Sequence, residues 1–413
     1  MSQSPGWGIT VRIVVPFALG YFLSYFYRVI NALIAPELTS ELTLDATALG
    51  FLTSAYFFTF AAFQLPLGVF LDRFGPRRTE SALLIVAATG AVVFATSDSV
   101  AALVLGRALI GLGVSACLMA AFKAYVLWFP AERRPLVNGL HMGIGGFGAL
   151  VATRPVEVAL QFTDWRGVFI VLAAVTVAVA AIQFFVVPER EGERNKETLA
   201  DQLGGVAHIF RSRKFWAIAP WATTSQGSGL AIHTLWVGPW LRDVSGLERT
   251  AVANHLAFIV IALIAGFMLF GALATRLSRA GIRPMSVAIS GMSLFMLVQV
   301  TLVAGITEYP LTLWMVFTFV SGTGILCYPA LSQEFPPQLS GRVTTGLNLL
   351  VFLWAFAAQW GIGAIINQWP AGDGSYEEMG YRVAFGAVLA TQIVSAAWWW
   401  LSKRETHDPI ATD

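Results

Sequence analysis

The chain has 413 residues, 56% of them hydrophobic and 12% charged, with a mean hydropathy of +0.68. So few polar residues cannot clothe a water-facing surface, which excludes a soluble globular domain and points to a membrane protein. The net charge of +2 comes from scattered Lys and Arg with no basic tract, so nothing suggests a nucleic-acid partner.

A bilayer core of about 30 Å is crossed by roughly 20 apolar residues in helical form. Twelve such runs follow one another at 13–36, 46–71, 79–96, 100–128, 135–158, 165–187, 215–240, 251–275, 284–305, 309–333, 343–367 and 380–402, numbered here helix 1 to helix 12. Helix 1 follows a short polar lead with Arg12; it is too long for a signal h-region and has no clear small-residue cleavage site, so it is expected to be retained. Between helices 6 and 7, Pro188 to Lys214 alternates Glu, Arg and Lys. This stretch divides the chain into an N-terminal six-helix bundle (1–187), a linker (188–214) and a C-terminal bundle with a short tail (215–413). Leu199, Leu203, Val206 and Phe210 recur at helical spacing within it, which fits a helix lying on the membrane surface; a solvated linker fits equally.

Orientation follows from the Lys and Arg count by loop. One side carries eighteen, counting Arg12, the loop after helix 2, Arg133, Arg134, the linker, Arg276, Arg279, Arg283, Arg342, Lys403 and Arg404; the other carries Arg166, Arg242, Arg249 and Arg382. Both termini are therefore expected in the cytoplasm, in a bacterial cytoplasmic membrane. Cys117 and Cys327 both fall in apolar spans, as buried thiols rather than a disulfide or metal site. No metal or cofactor is expected.

The run Gly68-Val69-Phe70-Leu71-Asp72-Arg73-Phe74-Gly75-Pro76-Arg77-Arg78 resembles, almost position for position, the G-x-L-x-D-R-x-G-R-R loop between helices 2 and 3 of the major facilitator superfamily. That resemblance implies an all-α integral membrane fold of two six-helix halves, a secondary transporter, and a substrate site near the midplane between the halves. A degenerate second copy runs from Gly271 to Leu277 and continues Gly281-Ile282-Arg283, with Thr275 in place of the acidic residue. In the family this loop is a latch of the outward-open state, which assigns gating to Asp72, Arg73, Arg77 and Arg78. Glu334 near the end of helix 10 could form a second latch with Arg276 or Arg342.

Charges inside the spans persist only beside a cavity or a partner. They are Arg28, Arg107, Lys123, Arg154 and, near a helix end, Glu157. Four cations against one carboxylate favour an anionic substrate. Arg28, with Tyr25 and Asn31 within a turn, suits capture of a carboxylate or phosphate, against the alternative of pairing with Glu157. Arg107, in Gly106-Arg107-Ala108-Leu109-Ile110-Gly111-Leu112-Gly113, resembles the helix 4 motif linked to proton coupling in several branches, with structural bracing as the equal alternative. Lys123 reads either as facing the cavity or as reaching to the head groups, and Arg154 either as contacting substrate or as neutralising Glu157. From the second half, Trp236, Tyr328 and Asn348 are candidates for the substrate wall.

The first half further resembles the anion:cation symporter branch through Tyr27-Arg28 with Asn31, Gln64-Leu65-Pro66-Leu67-Gly68, Trp128-Phe129-Pro130 before Glu132-Arg133, and Asp164-Trp165-Arg166. Two carboxylates that usually carry protons there are replaced by Tyr27 and Val114. Coupling would then fall to Glu157, Glu334, His141, His233 or His255, or to another ion, or be absent. The reading is a monomeric alternating-access carrier of a small carboxylate-type organic anion, possible partners being that anion, protons or another coupling ion, and lipid. A drug or metabolite exporter is the alternative, because Gly139, Gly143, Gly145, Gly146 and Gly148 of helix 5 resemble the glycine-rich antiporter motif. An enzyme is disfavoured, since no H-E-x-x-H, G-x-S-x-G or nucleotide-binding glycine loop occurs.

Overall fold

In hydrocarbon every backbone N–H and C=O needs an internal partner, and the chain meets that demand with helix almost throughout. The computed structural model describes residues 6–130, 133–189, 204, 207–335, 339–372 and 374–405. Among these the exception is a small hairpin, Pro370–Gly372 paired antiparallel with Ser375–Tyr376.

Nine helices among the described residues are long and apolar enough to cross a membrane. One, Ala46–Thr96, contains both helix 2 and helix 3, which part at Gly75 (φ 77°). Helix 5 is split into Arg134–Val151 and Arg154–Ala159, and helix 7 runs Arg213–Ala231, a π turn Ile232–Trp236, then Val237–Asp243. With these the twelve crossings are complete. Helix 1 starts earlier than expected, at Trp7, breaks at Ile30 and continues as Asn31–Leu42. From this polar lead Arg12 donates to the Val186 carbonyl at 3.2 Å.

Local chemistry sets several boundaries. Asp45 and Asp164 cap helices 2 and 6 by accepting from the Ala48 and Gly167 amides at 2.7 and 2.8 Å. Gly75 takes a left-handed conformation open to glycine at little cost, and Pro76 then starts helix 3 with its φ already set. The degenerate repeat does the same: Gly281 has φ 85° and Pro284 opens helix 9.

Helices 3 and 4 pack backbone to backbone, since a Cβ on Gly90 would stand 2.7 Å from the Gly106 carbonyl oxygen. Leu105, Leu140, Phe147, Phe185, Met268 and Leu297 point outward as exposed apolar groups, the arrangement expected of a surface solvated by lipid. Helices 1, 4, 7 and 10 are each interrupted within the span: at Ile30, at Ser115–Ala116, at the π turn, and at a 3₁₀ turn Gly322–Leu326. Irregular backbone at that depth is tolerated where it borders a cavity or is buried in protein.

The two halves are joined at the end that carries the loops after helices 1, 7 and 11. Glu37 pairs with Arg249 there, Asn367 donates to Asp45 Oδ2 at 3.1 Å, the Tyr376 hydroxyl accepts from the Ala46 amide at 2.7 Å, and Thr250 donates to Glu157 at 3.2 Å. Leu199, Leu203 and Val206, the residues of the expected surface helix, lie outside the described residues. Phe210 packs against the Phe215 and Trp216 rings.

Candidate functional site

A cavity of about 360 Å³ lies between the halves, walled by helices 1, 2, 4 and 5 on one side and 7, 8, 10 and 11 on the other. Its lining is mainly apolar and aromatic, including Phe60, Phe122, Met142, Phe267 and Phe352. Arg28 is its charged residue. It is 8% exposed, and its Nε has no hydrogen-bond partner among the described residues.

Arg28 is held by rings rather than by an acid. Its guanidinium carbon stands 4.6 Å from the Tyr25 ring centre, 5.4 Å from Phe60, 5.5 Å from Phe352 and 5.9 Å from Tyr56. None of the described ion pairs includes it, and the expected alternative partner, Glu157, is taken by Arg154 and Thr250. Its unpartnered Nε leaves an N–H to meet an oxyanion.

A polar rail crosses the cavity opposite the rings. Gln64 Nε2 donates to the Ser115 carbonyl at 3.3 Å, Asn348 Nδ2 donates to Gln64 Oε1 at 3.3 Å, and the Tyr328 hydroxyl donates to Asn348 Oδ1 at 3.0 Å. The helix 4 break releases the Ser115 carbonyl, so the interruption and the rail are one feature. Of the residues expected at the substrate site, Tyr25, Arg28, Tyr328 and Asn348 line this cavity. Gln64, Phe60, Gln226 and Phe352 join them at the lining and were not picked out as site residues; a glutamine in the middle of an apolar span was the available signal for Gln64 and Gln226.

Other expected site residues lie elsewhere, each for a visible reason. Trp236 is buried in the π turn, its indole donating to the Gln359 carbonyl at 3.0 Å and its ring lying over Gly50 and Gly363. Asn31 is buried beyond the Ile30 break and does not line the cavity. Lys123 pairs with Asp72, and Arg154 with Glu157. Arg107 is buried, donates to the Tyr27 carbonyl at 3.0 Å and lies 5.1 Å from the Tyr56 ring centre, so it braces helix 1 one turn before its break.

Around the loop between helices 2 and 3, Arg78 pairs with Glu189 at 2.7 Å, and Arg77 donates to the Val187 carbonyl at 3.1 Å. Arg73 lies over the Phe74 ring at 5.4 Å. The loop is therefore tied to helix 4 and to the start of the linker. Glu334 is exposed, and among the described residues its carboxylate forms no ion pair, so the expected second latch with Arg276 or Arg342 is not made. It sits in the turn past the end of helix 10. His233 lines the cavity, whereas His141 is buried behind it, stacked on Tyr21 at 4.6 Å, and His255 bonds the Ala251 carbonyl of its own helix.

The helix 5 glycines have a packing role. A Cβ on Gly148 would run into the Phe22 carbonyl, and one on Gly145 into the Tyr21 ring, so they let helix 5 lie against helix 1.

The chain is similar to the probable sulfoacetate transporter SauU of Cupriavidus necator, 25% identical over 272 residues, 63% of each protein. It thus spans just under two thirds of that relative. It is also similar to the galacturonate transporter of Dickeya chrysanthemi, 25% identical over 49% of this chain and 63% of that one. Among solved structures, a bacterial homolog of the human lysosomal transporter Spinster, inward-facing and occupied, superposes with a TM-score of 0.77 at 16% identity, covering 97% of this chain and 98% of the other. A D-xylose–proton symporter superposes with a TM-score of 0.73 at 15% identity, covering 95% and 97%. The sequence profile of the Major Facilitator Superfamily matches residues 17–359. Two six-helix halves around a central cavity and a profile match across most of the chain make this protein an integral membrane transporter of the Major Facilitator Superfamily, and not an enzyme.

Proposed function

We propose that the protein carries a small organic monoanion with an apolar body across the membrane by alternating access, and that Arg28 is its anchor. The observation that carries this reading is a buried guanidinium facing the cavity with no acid beside it and four aromatic rings around it. An arginine in that position is short of a counter-charge, and an incoming oxyanion supplies one together with paired hydrogen bonds. A single cation matches a single negative charge; a second carboxylate on the substrate would enter an apolar wall uncompensated. The names of the relatives point to anions, sulfoacetate and galacturonate among them.

Opening and closing follow from the joined end of the molecule. The charge count by loop puts that end outside and both termini in the cytoplasm, so the cavity empties inward once the outer contacts are made. In the opposite state Asp72 and its neighbouring arginines close the inner end.

The test is uptake of labelled benzenesulfonate, galacturonate and sulfoacetate by the purified protein in proteoliposomes. Benzenesulfonate stays ionised and cannot leak through lipid as an acid. Flux of monoanions above the dianion, with Arg28→Ala lowering affinity by roughly a hundredfold and Arg28→Lys only partly restoring it, is the expected result. Unchanged affinity in a folded Arg28→Ala variant overturns the anchor.

A further inference from the structure

Glu80 is a buried acid that the anion site does not use. It stands in the first turns of helix 3 at 0% exposure, and neither carboxylate oxygen has a hydrogen-bond partner among the described residues. The cations nearest in sequence are engaged or turned away, Arg77 and Arg78 bonding Val187 and Glu189 and the exposed Arg73 lying over Phe74, and Lys123 pairs with Asp72. The described ion pairs leave Glu80 out.

Its surroundings have the form of a built site. Helix 1 faces it with Gly20, where a Cβ would collide with the carboxylate and stand 3.7 Å from the Cys117 sulfur; the missing side chain is the space the acid occupies. Helix 4 contributes the Cys117 thiol and the buried Tyr125 hydroxyl, and helix 6 contributes Gln183, buried with neither amide atom partnered. Tyr125 hydrogen-bonds His141 Nδ1 of helix 5 at 3.0 Å, and His141 is stacked on Tyr21. Tyr21 and Leu118, the chain neighbours of Gly20 and Cys117, line the cavity. The acid therefore lies one layer of side chains behind the cavity wall.

An ionised carboxylate in such a place, with no cation beside it, is strongly disfavoured, and taking up a proton removes the penalty. A resident metal would need several more ligands, and no cluster of His, Cys, Asp and Glu able to hold one occurs among the described residues.

We propose that Glu80 is the proton-binding site of this carrier, loaded and unloaded once per cycle, so that the anion moves in symport with a proton; this rests on the anion reading above. In one state the carboxylate takes a proton from hydronium and releases water, and in the other it returns that proton to water on the opposite side. Helix 1 links the two sites, since Gly20 faces Glu80 and its neighbour Tyr21 lines the cavity that holds Arg28. Symport requires that anion and proton each favour the other's binding equally.

The experiment uses the full chain in proteoliposomes, as wild type, Glu80→Gln and Glu80→Asp. Infrared difference spectra between acidic and alkaline buffer report buried carboxylic acids directly. The expected result is a titrating carboxyl band in wild type, moved in Glu80→Asp and missing in Glu80→Gln. With benzenesulfonate, Glu80→Gln should keep exchange at equal pH within about twofold while losing accumulation driven by a proton gradient. Gradient-driven accumulation that survives in Glu80→Gln, or a wild-type spectrum without the band, overturns the proposal. A band that responds to sodium at constant pH also overturns it, in favour of a sodium site. If wild type exchanges no benzenesulfonate, galacturonate or sulfoacetate, the anion reading fails, while the band still decides whether Glu80 takes up a proton. Should Glu80→Gln not fold, the band moved in Glu80→Asp makes the same decision.

Discussion

Arg28 and Arg107 are both buried arginines of the first half, and their partners give them different work. Arg107 spends a hydrogen bond on the Tyr27 carbonyl, one turn before the chain breaks at Ile30. Arg28 faces the cavity with its Nε unpartnered. Arg107→Met should therefore lower stability by roughly 1–3 kcal/mol, through an orphaned carbonyl and a lost buried donor, with little change in anion affinity. Thermal unfolding and binding measured on the same preparation check this, and a large loss of affinity without loss of stability would contradict it. All four embedded cations were visible in the sequence as charges inside apolar spans. The pairing of Arg154 with Glu157, three residues on, was open to the sequence as one alternative, but the engagement of Lys123 and Arg107 was not, because Asp72 and the Tyr27 carbonyl are brought to them from other helices. Glu80 went unnoticed as a buried acid for the related reason that it sits just after a charged loop, where a linear reading assigns it to the head groups.

Among the helices, the interruptions matter most. Breaks in helices 4, 7 and 10 border the cavity, and the one in helix 4 presents the Ser115 carbonyl to Gln64. Proline accounts for two of them: Pro239 stands four residues after Leu235 of the π turn and Pro329 four after Ile325 of the 3₁₀ turn, and neither has an N–H for that carbonyl, whereas helices 1 and 4 break without a proline so placed. Glycine explains the turns between helices 2 and 3 and between 8 and 9, where Gly75 and Gly281 share a positive φ. Gly75→Ala and Gly281→Ala should each cost about 1–2 kcal/mol from left-handed strain alone, since no neighbouring atom crowds either position. Equal losses in melting experiments would support the internal repeat; a cost at Gly75 alone would mean that the second copy no longer needs the turn. Gly148→Leu should do more damage, because its side chain would enter the Phe22 backbone and part helix 5 from helix 1.

For the molecule as a whole, function depends on which end of the cavity is shut. The contacts Glu37–Arg249, Asp45–Asn367, Ala46–Tyr376 and Glu157–Thr250 shut one end here. Asp45→Cys with Asn367→Cys, joined by a short bifunctional maleimide after both buried native cysteines are replaced, should trap this state and stop transport. Full transport after complete cross-linking would show that the end does not open.

Twelve crossings, their order and the superfamily could be read from the residues alone. Chain length per crossing, the cost of charge in lipid and the Gly68 to Arg78 loop are local properties, and local properties are written in order along the chain. The grouping of Arg28 with Phe60, Gln64, Tyr328, Asn348 and Phe352, the retirement of Trp236 and Asn31 into packing, and the isolation of Glu80 behind Gly20 were decided by the fold. Each depends on which faces of helices distant in sequence meet, and on where a helix breaks, and the periodicity of a single helix carries no information about its neighbours.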